Sequence, residues 1–272
     1  METERDQLRQ TYQLCRLGFG LLSLSLILAA IPLVIFLIGM QFRIELFRWF
    51  FQSSFNRYLS VPITWGSLVG TYLLWGRWSE PSWQRRVGLL LFMNSMDCLL
   101  WFMDQGESLG LRLETVGHEW LRSGLGEALG WAEFALIASL ACDLLAHLGV
   151  NQAEDAGKAT RSLAATGAVI WMIYFIEQTS WHQGWPLMRR GIRNIQSFYL
   201  FFGTQMIWAL ILIQLSALTL AATRQASRVL SEMDQEDREQ ETFELPAHQD
   251  NGLFGLSHEE TVREKETTAF GW

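Results

Sequence analysis

Between Leu17 and Met40 the chain runs for 24 residues without a charged side chain. As a helix rising ~1.5 Å per residue, that run covers ~36 Å, more than the ~30 Å hydrocarbon core of a bilayer. Lipid offers no water to satisfy backbone N–H and C=O groups, so the run predicts a tilted or kinked transmembrane helix, with Pro32 as the kink site. It does not read as a cleavable signal peptide, because the leader METERDQLRQ mixes both charges and the apolar stretch is too long.

Six runs in all are long and apolar enough to cross, near 17–40, 58–76, 87–104, 131–150, 162–178 and 198–221. The expected fold is therefore an all-α integral membrane protein, a bundle of about six transmembrane helices. A faint repeat would arrange them as three helical hairpins: Leu-Trp-Phe-Met-Asp-Gln at 100–105 and Ile-Tyr-Phe-Ile-Glu-Gln at 173–178 lie 73 residues apart. Apolar spans resemble one another by composition alone, so this similarity carries little weight. The stretches 42–58 and 181–196 mix arginine with aromatic residues, which suits amphipathic helices lying at the membrane surface. The domain reading is an N-terminal cytoplasmic segment at 1–16, the six-span region at 17–221, a helical extension at 222–241 and a disordered acidic tail at 242–272.

Charge is distributed unevenly. Residues 231–272 hold twelve acidic and three basic side chains, a net of −9, against −7 for the whole chain; the first 230 residues are thus at +2. The acidity belongs to the tail, where Phe254, Leu256 and the final Ala-Phe-Gly-Trp offer apolar anchors for a protein partner. No basic patch interleaved with stacking aromatics is present, which argues against nucleic-acid binding. Cys15, Cys98 and Cys142 are widely separated, so no disulfide framework or zinc site can be read from them. Ten Lys and Arg residues fall on the side of the termini and eight on the other. This bias favours both termini in the cytoplasm, and helical spans point to a multi-pass protein of a cell membrane, a bacterial cytoplasmic membrane in the first instance.

Ionisable groups inside the spans mark where chemistry would lie. A carboxylate at the bilayer centre costs ~2.5–3.5 kcal/mol on insertion scales, so such a group needs a partner, a cavity or an ion. The third span lines up Asn94, Asp97, Trp101 and Asp104 at spacings of three, four and three, which is one helix face. The fourth aligns Ser139, Asp143 and His147 at spacings of four, with Glu133 nearer its far end. If the two spans pack antiparallel, Asp97 and Asp143 differ in depth by ~7 Å, too far for a direct hydrogen bond. Gly66 and Gly70 form a Gly-x-x-x-Gly for close helix packing, within the bundle or in a homo-oligomer.

Several sharper readings fail. Ser139, Asp143 and His147 are the residue types of a hydrolase triad, yet Ser139 and His147 stand ~12 Å apart along one rigid helix. A rhomboid-like protease would need a Gly-x-Ser-Gly nucleophile and a histidine in the sixth span, and cation diffusion facilitators carry their ligands on spans two and five. His147 alone is a poor metal or haem signal, and no cofactor is indicated. Three functions remain. The first is a non-enzymatic subunit or scaffold of a membrane assembly, presenting the polar face or the tail to a partner. The second is a transporter or channel for protons or small cations through Asp97 and Asp143. The third is a membrane-embedded enzyme assembled from Glu133, Asp143, His118 and His182.

Overall fold

The computed structural model describes residues 2–42, 54–75, 80–108, 119–150, 152–182 and 190–244. These residues form six α-helices and no strand: α1 (Glu2–Phe42), α2 (Ser54–Leu74), α3 (Pro81–Ser108), α4 (Glu119–His147), α5 (Gln152–His182) and α6 (Arg190–Glu244). Most of the surface stretch 42–58, residues 183–189 of the second one, His118 and the tail from 245 lie outside the described residues.

Six spans were expected, and the helices number six, but four are long and apolar enough to cross a membrane among the described residues. These are Glu4–Gly39 in α1, Gly126–His147 in α4, Ala153–Ile176 in α5 and Phe201–Glu239 in α6. The other two, α2 and α3, do not reach that measure within the described residues. α2 carries Thr64, Gly66, Ser67, Gly70 and Thr71 around Pro62, and α3 carries Asn94, Ser95 and Asp97.

The chain divides into one unit of residues 1–230 and another of 231–272. In the first, neighbouring helices run antiparallel, with α1 on α2, α2 on α3, α3 on α4 and α4 on α5. The α1–α2 seam is very close. A Cβ on Gly70 would lie 2.9 Å from the Gly18 carbonyl oxygen, and a Cβ on Gly66 would strike the Ser25 hydroxyl. Small residues at both contacts let the two backbones touch, the usual device where helices associate without a hydrophobic driving force. The α4–α5 seam works the other way, as the Trp131 ring occupies the space that a side chain at Gly167 would need.

Between α4 and α5 the chain turns within a few residues. Val150 N–H donates to the Leu145 carbonyl at 2.9 Å and Gly149 N–H to the Ala146 carbonyl at 3.0 Å, the paired bonds of a Schellman end. That end requires a left-handed residue, and Gly149 supplies it at φ 79°. α4 is the central helix: 61 % of its apolar window is buried inside the protein, against 22 % in α1, 17 % in α5 and 33 % in α6. The outer helices keep apolar side chains on their free faces, such as Ile27, Ile31 and Val34 on α1 and Val169, Met172 and Ile176 on α5.

Candidate functional site

Helices α3 and α4 carry the polar residues singled out by sequence, and their register decides which of them meet. Arg86 of α3 pairs with Asp143 of α4, Nη1 to Oδ2 at 2.5 Å. Eleven residues further along α3, Asp97 lies within electrostatic range of both Glu133 and Glu127 of α4. The matching spacings, eleven residues from Arg86 to Asp97 and ten from Asp143 to Glu133, follow from two helices of equal rise running antiparallel.

The two acids of the sequence reading, Asp97 and Asp143, are therefore on different levels. Ten residues of α4 between Glu133 and Asp143 correspond to ~15 Å, about twice the depth difference expected from the sequence. The expectation aligned the ends of spans drawn from 87 to 104 and from 131 to 150. The helix actually begins at Glu119 and meets α3 about five residues out of that register.

At the first level charge is balanced. Arg86 and Asp143 side chains are 31 % and 38 % exposed, so the pair sits near the edge of the bundle and keeps partial contact with its surroundings. His147 is exposed at the end of α4, one turn beyond Asp143. Ser139 spends its hydroxyl on its own helix, donating to the Ala135 carbonyl at 2.9 Å.

The second level has three carboxyl groups and no such balance. Glu133 is 8 % exposed, and its Oε1 has no hydrogen-bond partner. Among the described residues, no Lys or Arg contributes to the field at Glu127 or Glu133; the charged neighbour of both is Asp97. An unpaired charge in a medium of low dielectric is costly, and among the described residues the protein supplies no counter-charge to Glu133. No group of three or more His, Cys, Asp or Glu side chains is close enough to hold a metal ion among the described residues.

Asn94 lies on the same helix as Asp97 but serves a different neighbour. It accepts from Ser67 Oγ at 2.6 Å and donates to Thr71 Oγ1 at 3.2 Å and to the Leu90 carbonyl at 3.1 Å. Both hydroxyls belong to α2, so Asn94 fastens α3 to α2, and Trp101 does likewise by donating to Ser60 Oγ at 2.9 Å. The face read from the sequence is thus divided, Asn94 toward α2 and Asp97 toward α4. Asp104 is on α3, but its side chain lies outside the described residues.

Glu127 is the member that the sequence reading did not single out. It sits in a Gly-Glu-Ala-Leu-Gly stretch that resembles a helix end at the membrane surface, and its interior position arises only because α4 starts eight residues earlier. It stands in the wall of a cavity of about 390 Å³ between α1, α4 and α6, together with Pro32, Phe36, Phe201, Gln205 and Trp208. Trp208 packs edge-on against Trp131 and Phe134, with ring centroids 5.4 and 4.6 Å away, and its indole approaches the Glu127 carboxyl. The second glutamine of α6, Gln214, is used elsewhere and accepts from Thr160 Oγ1 of α5 at 3.1 Å.

Comparison with protein-family models, curated proteins and solved structures finds no match to this chain.

Proposed function

We propose that this chain is a six-span membrane protein that binds and passes a proton or a small monovalent cation at the carboxyl groups of Asp97, Glu127 and Glu133. The observation that carries the reading is the buried, unpartnered Glu133 carboxyl within the field of Asp97. Interhelical polar contacts in membranes average only ~0.6 kcal/mol. Three acids without a base are a poor way to join helices and a suitable way to hold an exchangeable cation. Glu133 is turned inward, which speaks against a partner docking on that part of the polar face. The tail, through which the subunit reading could also act, lies outside the described residues. The transport reading also shifts in its residues, because Asp143 is occupied by Arg86.

Six crossings are supported by the surfaces of the two less apolar helices. α2 keeps Tyr58, Val61, Trp65, Val69 and Tyr72 exposed at spacings of three and four, and α3 keeps Leu89, Phe92, Leu99 and Phe102 exposed. A stripe of this kind suits acyl chains and would be a large unpartnered patch in water. Both helices also pack within the same antiparallel series as the apolar helices α1, α4 and α5. Six crossings place the termini together, on the cytoplasmic side by the arginine bias.

Purified protein in vesicles, under an imposed membrane potential, tests this with internal dyes for protons and sodium. Ion entry above that of empty vesicles is expected, falling at least tenfold in Asp97→Asn and in Glu133→Gln while both variants reconstitute normally. Entry unaffected by both substitutions, or no entry of either ion into wild-type vesicles, overturns the reading.

A further inference from the structure

The cavity between α1, α4 and α6 has a composition that the ion path does not use. Its walls are mainly apolar and aromatic, from Pro32, Leu33, Phe36, Phe201 and Trp208, and the one ionisable side chain that lines it is Glu127. At about 390 Å³ it falls in the size range of small-molecule sites, ~300–1,000 Å³, and is much too small for a two-chain lipid. We propose that this cavity is a binding site for a lipophilic monocation, an amine or onium compound whose charged centre rests on Glu127 and whose apolar body lies among the aromatic rings.

The argument is one of charge complementarity in a mainly apolar, open-sided pocket. Asp97 lies within electrostatic range of Glu127 without lining the cavity, so a cation held at Glu127 offsets the repulsion between the two. A metal ion is the wrong occupant, because hard cations require several oxygen ligands and the wall offers a carboxylate and the Gln205 amide. A bulky organic cation needs few ligands. Its charge is spread and weakly hydrated, and the faces of Trp208, Phe201 and Phe36 can stabilise it, at roughly 0.5–2 kcal/mol per cation–π contact. Gln205 gives the site a hydrogen-bonding edge for a substituent on such a ligand.

The site shares Glu127 with the proposed ion path and rests on that reading only there, and the test keeps the two apart by reading binding without flux. The full chain in lipid nanodiscs is dialysed against radiolabelled tetraphenylphosphonium, with empty nanodiscs as the partition control. Saturable binding near one per chain is expected, weakened at least tenfold in Glu127→Gln and at least threefold in Trp208→Leu. Asp143→Asn, outside the cavity, should bind like the wild type and shows that a folded variant retains the site. Neutral triphenylphosphine oxide, of similar bulk, should compete at least tenfold less well.

Partition no greater than in empty nanodiscs overturns the assignment, as does binding indifferent to Glu127→Gln. Equal competition by the neutral compound overturns it too, since the cavity would then recognise bulk alone. Ion entry in the vesicle assay is read at Asp97 and Glu133, which do not line the cavity, so a failure of that reading and a failure of this one are told apart although both use Glu127.

Discussion

The α3–α4 seam treats acidic side chains in two opposite ways within ~15 Å. Near the terminal side, Asp143 meets Arg86, and both keep about a third of their surface exposed. At the other level Asp97 lies within electrostatic range of Glu127 and of Glu133, and Glu133 is buried without a partner. The first arrangement resolves the cost of a charge by pairing it; the second leaves the cost in place. Burial alone does not make a group functional. What separates the two levels is whether the protein supplies the counter-charge, and a site that does not supply it must take one from outside.

Changes at each level should therefore give different kinds of loss. The largest effect is expected from Glu133→Gln, an ion entry at least tenfold lower with thermal stability held or slightly raised, since the substitution removes an uncompensated carboxyl. A large drop in stability instead would place Glu133 among the structural groups.

Arg86→Ala should do the reverse. Breaking a fully buried pair costs ~3–5 kcal/mol, and partial exposure lowers the expectation here to about 1–2 kcal/mol. Ion entry should remain within about threefold. Denaturation of Arg86→Ala, Asp143→Ala and the double variant in detergent measures the coupling, and additive losses would show that the two side chains do not interact.

Asn94→Ala cuts three hydrogen bonds, two of them to α2. Such contacts in membrane proteins are individually weak, so about 1 kcal/mol is expected in the same denaturation assay. The smallest change belongs to Asp143→Asn. Arg86 lies near the start of α3 and can turn its guanidinium toward the membrane surface, so less than ~1 kcal/mol should be lost. If Asp143→Asn abolished ion entry, both levels would belong to one path and the contrast between them would fail.

The helical content was legible because lipid-compatible runs leave few alternatives, and the ends of the spans were not. α2 and α3 show why the number of crossings is harder to read. Their small and polar residues (Gly66, Ser67 and Thr71 on one helix, Asn94 on the other) lower the apolar average while providing the contacts that hold the helices together. Asp97, Glu133 and Asp143 stood out because acids in apolar runs are costly. Their grouping depended on the register between two helices, and a shift of about five residues hid the approach of Asp97 to Glu127 and Glu133. The signal lay in matched spacings of opposite and like charges along two antiparallel runs, Arg86 to Asp97 and Glu133 to Asp143. Glu127 was hidden by its setting among glycines and alanine, where nothing in the local sequence distinguishes an interior position from a surface one. The role of Gln205 depends on which way α6 faces, and sequence periodicity leaves that open.

The short Gly149 turn bears on how such a chain is made. α4 holds Glu127, Glu133 and Asp143 along one helix, and alone in a bilayer it would expose all three to acyl chains. α5 follows after a turn of a few residues, while Arg86 waits on the helix already synthesised. Nascent α4 is thus flanked in time by the helix that neutralises Asp143 and by the one that covers Trp131. On the proposed membrane reading, the entry of α4 into the bilayer is coupled to both neighbouring helices, and a chain interrupted between α4 and α5 is expected to insert less efficiently than the full chain.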